Sequence, residues 1–587
     1  MAITEANRLV RAASLSELRA AGRLVVGVGG RTLCLFADGD AVHALDNRCP
    51  HMGFPLHRGT VADGILTCHW HHARFDLCSG GTFDQWADDL QRFPVELSGD
   101  DVFIDTSPPD DRVAHQRKRL RDGLERNIAL VLAKAAITLT EADTSGAEAF
   151  RAGLEFGTER RGDGWGRGLT TLTCFANLAP RLDDADLPVA LYHGLADVSA
   201  ESAGEPPRFP LDPLPSAAAD PAQLALWFRQ FLEVRDEEGA ERALVSAVRA
   251  NASPTELADM LFAAATDHRY LDSGHTLDFI NKALEALDVA GWEIAEQVLA
   301  SLTAPIAASR RMEESIAWRS PIDLVALLED AFDKIPGAWT TGRDRQHDWI
   351  DRPRLVGALL GEDPEATIAL LLEAVADGAG EVELASAVSF AAATRIARFP
   401  TTNEFGDWDT ALHTFTFANA VEQGLRRSPS PELLRGVFDA AMSVYLDRFL
   451  NVPAARLPEP RFATDPNELL LELPKLLDRQ QQVNEAAELA TSYLASGGDA
   501  RRLVATLGSA LVREDRNFHT IQCIEAATRQ HELLSDEEAV LPLVAAARYL
   551  AAHATTTRSQ RQTFDIARRL QRGEKLYEDE SITARGT

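Results

Sequence analysis

NRCPHMGFPLHRGTVADGILTCHWHHARFDLCSGGTFD, residues 47–84, carries Cys49-Pro50-His51 and Cys68-His69-Trp70-His71, with sixteen residues between His51 and Cys68. That spacing offers two thiolates and two imidazoles to one metal centre. His43, His57, His69 and His72 lie close by, so a zinc site built from Cys49, Cys68 and two of these imidazoles competes. Zinc ribbons and fingers bring their ligands in as close cysteine pairs or on a helix. Here both ligand pairs sit in Gly- and Pro-rich loops between short strands. An iron–sulfur centre is the better match, and the spare histidines read as surface or loop residues.

Outward from the loops, residues 23–28 and 31–37 are short β-rich runs separated by Gly29-Gly30, and Asp38-Gly39-Asp40 turns the chain into residues 41–45. Residues 93–97, the turn at Ser98-Gly99-Asp100, and residues 102–105 close a small antiparallel domain. Loops projecting from such hairpins hold four ligands in place without a large core.

Over roughly the first hundred residues the chain resembles the Rieske ferredoxins and the Rieske modules of ring-hydroxylating oxygenases. The resemblance implies one [2Fe–2S] cluster, with Cys49 and Cys68 on the inner iron and His51 and His71 on the outer, near-surface iron. Neutral imidazoles leave such a cluster less negative than four thiolates would and raise its potential into roughly the −150 to +300 mV range. Phe54 and Trp70 occupy the places where cytochrome bc-type Rieske proteins put two further cysteines, so no disulfide ties the loops and the ferredoxin and oxygenase branch is favoured.

The chain has 587 residues, 45% hydrophobic and 25% charged, which is ordinary for a soluble globular protein of two or three domains. A formal charge of −30 argues against nucleic acid and against anionic membrane faces. Besides the two cluster cysteines, Cys34, Cys78, Cys174 and Cys523 are scattered, unlike a secreted disulfide framework, so a reducing cytoplasm is expected. The first residues, MAITEANRLVRAASLSELRA, carry acids and no apolar cleavable segment, and no later run approaches a membrane span.

After Thr106 the character changes. Ser107-Pro108-Pro109-Asp110-Asp111 reads as a linker, and beyond it Ala, Leu, Glu and Arg dominate with apolar residues at helical spacing. Helical stretches are expected over 116–136, 222–233, 276–287, 293–302, 364–376 and 485–494. Ordered matches recur about 243 residues apart. LTTLTCFAN (169–177) stands against LHTFTFAN (412–419), Trp165 against Trp408, His193-Gly194 against Arg435-Gly436, and Gly274-His275-Thr276 against Phe518-His519-Thr520. The expectation is therefore a small all-β Rieske domain (1–106), a linker (107–113) and a large all-α region made of a duplicated helical unit (114–390 and 391–587).

In the helical part His275 opens HTLDFINKALEAL, and His413 lies in ALHTFTFANAV with Phe417, Ala420 and Val421 on one face. Each is a metal ligand, a general base or a hydrogen-bonded core residue. With no partner visible in the sequence the core reading comes first, and the same holds for His193 and His519. ALHTFTFANAVEQGLRRSPSPELLRGVFDAAMSVYL and DSGHTLDFINKALEALD are similar to helical segments of the questin oxidase-like family, whose members are associated with oxygenation of aromatic polyketides. That resemblance implies an oxygenase or related oxidoreductase and marks His275 and His413. No carboxylate stands at the spacing from two histidines that a mononuclear iron site of ring-hydroxylating oxygenases uses, and no pair of Glu-x-x-His motifs offers a di-iron site. RGDGWGRG (161–168) follows no strand and fails the dinucleotide fingerprint, so electrons are expected from an external reductase or ferredoxin.

The first expectation is an iron–sulfur oxidoreductase, a monooxygenase or dioxygenase in type, that passes single electrons to a pocket where a small organic substrate is oxidised. Any second metal is left open. The alternative is a redox sensor or transfer module whose helices form a scaffold for a partner protein.

Overall fold

The computed structural model describes residues 9–572 and 574, apart from 108–111, 216–219, 344, 346–348, 350, 464, 536 and 573. Most of the expected linker lies outside the described residues. Two compact units are formed, one by the described residues of 1–144 with those from Gln560 onward, the other by residues 145–559.

The first unit is built on ten short strands: β1 (Leu9–Ser14), β2 (Arg23–Val28), β3 (Arg31–Asp38), β4 (Ala41–Asp46), β5 (Thr60–Ala62), β6 (Ile65–Thr67), β7 (Arg74–Asp76), β8 (Arg92–Phe93), β9 (Val95–Ser98) and β10 (Asp101–Asp105). They make three antiparallel sheets, ordered β1-β10-β9, β2-β3-β4-β8 and β5-β6-β7. Gly29 and Gly30 both take positive φ between β2 and β3, the two-residue turn that right-twisted strands favour. Strand β3 is buried on both faces. Leu33 and Leu35 enter one core with Val102 and Ile104, while Cys34 and Phe36 enter another with Cys49, Cys68 and Phe75. This two-sided burial explains why its sequence runs apolar without alternation.

Helices Arg112–Arg126 and Ala129–Ala142 also fall within this unit. The single stretch expected over 116–136 is in fact two helices, because Asn127 adopts a left-handed φ of 52° between them. Helix Ser559–Gln571 reaches the same place: Gln571 donates from Nε2 to the Lys134 carbonyl at 2.9 Å and to Thr138 Oγ1 at 2.8 Å.

In the second unit the regular elements among the described residues are all helical. At its centre, helices His275–Ala290 and Phe518–Leu533 each pack against helices Arg167–Leu178 and Phe405–Arg427. The Asn517 side chain caps the start of the Phe518 helix by accepting from the Thr520 amide at 3.0 Å. The His275 helix begins differently. Tyr270, Asp272 and Ser273 all hold positive φ, and Gly274, at φ 93°, approaches Tyr270 and Phe417 so closely that a Cβ would stand 2.9 Å from each. That cramped turn sets where His275 enters the core. No helix of the described residues is long and apolar enough to cross a membrane.

Candidate metal centres

Two loops of the first unit gather the four cysteine and histidine candidates. Cys49 N donates to Phe54 O and Cys68 N to Ala73 O, both at 2.8 Å. Gly53 N then donates back to Cys49 O at 2.7 Å, and His72 N to Cys68 O at 3.0 Å. The loops thus share one hydrogen-bond plan, and the matching positions Gly53 and His72 share a left-handed φ, 76° and 64°. Such a turn aims successive N–H groups inward. The amides of His51 and Met52 donate to the Cys49 sulfur, and those of Trp70 and His71 to the Cys68 sulfur.

The two thiols are buried and hydrogen-bonded to each other. That contact, reinforced by burial, pushes the Cys49 thiol up, and the same contact holds Cys68 down at about 6. His51 is half-buried and His71 exposed; their rings meet edge-on at 4.8 Å, and Trp86 covers His51 at the same separation. Burial, then the neighbouring His71 and Lys134, push His51 down to about 4, so its ring is neutral at neutral pH, the form that ligates a metal. Its Nδ1 is buried without a hydrogen-bond partner among the described residues. Two touching sulfurs, inward amides and an orphaned imidazole nitrogen match the donor set of one two-iron, two-sulfide cluster.

The rings of Phe54 and Trp70 lie 6.1 Å apart, an aromatic contact between the two loops. Of the spare histidines, His57 is tied to Asn47, while His69 is exposed and lies 3.4 Å from the Thr60 hydroxyl. His43 departs from expectation: it is buried on β4 rather than at the surface. Behind the first loop, Lys134 Nζ donates to the Pro50 carbonyl at 2.7 Å and lies 3.4 Å from Asp88, which Arg119 also reaches at 3.1 Å. Asp88 is buried, yet these cations keep its carboxyl well below the usual range.

The second unit brings His275 and His413 together and adds His519, with one donor nitrogen of each within 4.8 Å of the others. His413 Nε2 stands 3.0 Å from His519 Nε2, and the His275 ring meets His413 edge-on at 4.4 Å and stacks on His519 at 5.7 Å. Two nitrogens each about 2.0–2.1 Å from one ion would be separated by a similar distance. Burial, together with the crowding of the other rings, pushes His275 down to about 4 and His413 to about 3. Three converging imidazoles form a set that iron, zinc or copper accepts.

Behind the trio stands a carboxylate. Asp409 Oδ2 lies 3.3 Å from His519 Nδ1, Tyr549 donates its hydroxyl to Asp409 Oδ1 at 2.5 Å, and His553 Nε2 is 3.8 Å away. Burial opposes ionisation of Asp409, but His519 and Tyr549 outweigh it and hold the carboxyl at about 2. The pair His275 and His413 was visible in the sequence only as isolated residues. His519 had one signal, its match to His275 in the 243-residue comparison, and Asp409 had none. His193 is elsewhere in the unit, buried against Tyr192 and Phe175.

Comparisons with known proteins address the first of these centres. A family model described as the Rieske [2Fe-2S] domain matches residues 8–94. The chain is 34% identical to human apoptosis-inducing factor 3 over 83 residues, 14% of each protein, so it spans about a seventh of that relative's length. It is 29% identical over 99 residues to the ferredoxin component of the naphthalene 1,2-dioxygenase system of Pseudomonas aeruginosa, 17% of this chain and 95% of that protein. The ferredoxin component of the alkene monooxygenase system of Xanthobacter autotrophicus is 33% identical over 85 residues, 14% of this chain and 70% of that protein. Rieske domains bind a [2Fe–2S] cluster and transfer electrons. By these matches the chain belongs to the Rieske [2Fe-2S] family, carrying that domain at residues 8–94.

Proposed function

We propose that the chain is a Rieske oxidoreductase of oxygenase type with two metal centres. Cys49 and Cys68 hold the inner iron of a [2Fe–2S] cluster, and His51 and His71 hold the outer one. His275, His413 and His519 hold a single further ion, which we read as iron because the same chain carries a one-electron donor. The observation that supports this reading is the convergence of three imidazoles from three helices, one of them braced by a half-buried carboxylate. A helical scaffold for a partner has no need of such a cluster.

An external reductase or ferredoxin supplies electrons singly, and the exposed His71 is the entry or exit point. The reaction class is oxygenation of a small organic substrate: dioxygen gives one oxygen atom to the substrate and one to water, consuming two electrons and two protons. Bound iron would supply the activation of dioxygen. The protein's part is to hold three imidazoles in place, with His275 and His413 kept neutral and Asp409 accepting a hydrogen bond from Nδ1–H of His519 so that Nε2 faces inward. The resemblance to questin oxidase-like segments points the same way. We also propose that the helical unit is duplicated, since the His275 and His519 helices occupy matching places against the Phe405 and Arg167 helices.

Metal analysis of anaerobically purified protein tests the reading. Three irons per chain are expected, with His519→Ala retaining two together with the paramagnetic signal of the reduced cluster. Two irons in the wild type, with no other metal at the imidazoles, would sink the second centre.

A further inference from the structure

A cavity of about 400 Å³ opens beside the three imidazoles and has His413 in its wall. Trp318, Met312, Ile322 and Leu446 make most of the remaining wall apolar, and the size suits a small organic molecule. One end is polar. Asp447 lines the cavity there and is 5% exposed, and its Oδ2 has no hydrogen-bond partner among the described residues. The Thr414 hydroxyl hydrogen-bonds the same carboxyl and lies 3.4 Å from the Tyr270 hydroxyl.

Arg395 is the cation that faces Asp447, but its guanidinium donates to the carbonyls of Val444 and Leu360 and to Asn451 Oδ1. An acceptor this buried is costly without a donor, and a site built around such an atom discriminates for ligands that bring one. We infer that the cavity binds an apolar small molecule bearing a neutral hydroxyl, which donates to Asp447 Oδ2 while the apolar body lies against Trp318 beside His413.

The chemistry narrows the ligand class. An anionic ligand would meet the carboxyl of Asp447. A cationic one would meet Arg448, which also lines the cavity and whose guanidinium lies 3.7 Å over the Tyr445 ring and 3.8 Å over the Phe449 ring. This inference deepens the oxygenase reading by naming the substrate class of the three-imidazole centre.

The test is calorimetric binding of 2-naphthol and of 2-methoxynaphthalene, which lacks the donor, to the full chain. The wild type is expected to bind the naphthol at least about tenfold more tightly. Asp447→Ala should bind the two alike, and the near-isosteric Asp447→Asn should lose at least threefold of the preference if the alanine variant does not fold. Equal affinities in the wild type, no binding of either probe, or an unchanged preference in the variants would overturn the inference. His519 does not line the cavity, so His519→Ala should keep the preference. Metal content therefore decides the metal reading, and probe discrimination decides this one.

Discussion

Asp409 and His519 form a carboxylate–imidazole pair: Oδ2 of one lies 3.3 Å from Nδ1 of the other, on the ring nitrogen that does not face His413. The pair fixes which nitrogen of His519 carries the proton and raises the basicity of the other. Asp409→Asn should therefore weaken metal retention about 10–100-fold, with the [2Fe–2S] signal unchanged. Competition against a calibrated chelator measures it, and retention equal to wild type would remove Asp409 from the site.

Lys134 places a positive charge on the Pro50 carbonyl, between the residues proposed to ligate the two irons. A cation near a cluster stabilises its reduced, more negative form. Lys134→Met should lower the reduction potential by something on the order of tens of millivolts. A redox titration followed by the visible spectrum checks it. An unchanged potential would mean that Asp88, 3.4 Å from Lys134, takes up a proton when the lysine is lost, and a higher one would overturn the prediction.

The four residues proposed to hold the cluster were legible in the sequence because a metal loop is a local device: the two members of each pair lie within a few residues of each other, and the hairpins around them are marked by Gly pairs. Helix Pro364–Ala376 was equally legible, for its apolar spacing and its proline start are local too. What is assembled across long separations was not. His413 and His519 are 106 residues apart, and Lys134 is 84 residues from Pro50. No spacing rule links such positions, since tertiary packing alone brings them together. The repeat carried part of that information, aligning His519 with His275. It could not supply Asp409, because position 166, 243 residues earlier, is a glycine.

Lys282 is fully buried between Glu285 at 2.9 Å and Glu525 at 2.7 Å, where the His275 and His519 helices face each other's acids. Removing one partner of a buried ionic group leaves the others uncompensated. Lys282→Met should cost about 3–5 kcal/mol of stability. Arg529, 3.4 Å from Glu285 and 3.3 Å from Glu525, would offset part of that loss. Urea unfolding measures it, and a loss below about 1 kcal/mol would show that Arg529 suffices.

Asp278, 1% exposed, hydrogen-bonds the Gln522 side chain, and burial pushes its carboxyl up to about 7 against the pull of Lys282. In the unfolded chain an aspartate titrates near 3.9. Between about pH 4 and 7 the folded state therefore holds a proton that the unfolded state has lost, so stability falls as pH rises through that window and levels off above it. Asp278→Asn keeps the shape and removes the titration. The variant should match the wild type near pH 4 and exceed it by something on the order of 2–4 kcal/mol at pH 8.5, as a rise from about 4 to about 7 implies. Unfolding curves at the two pH values decide it. A variant less stable than wild type at pH 8.5 would mean that the ionised carboxylate is held by Lys282 after all.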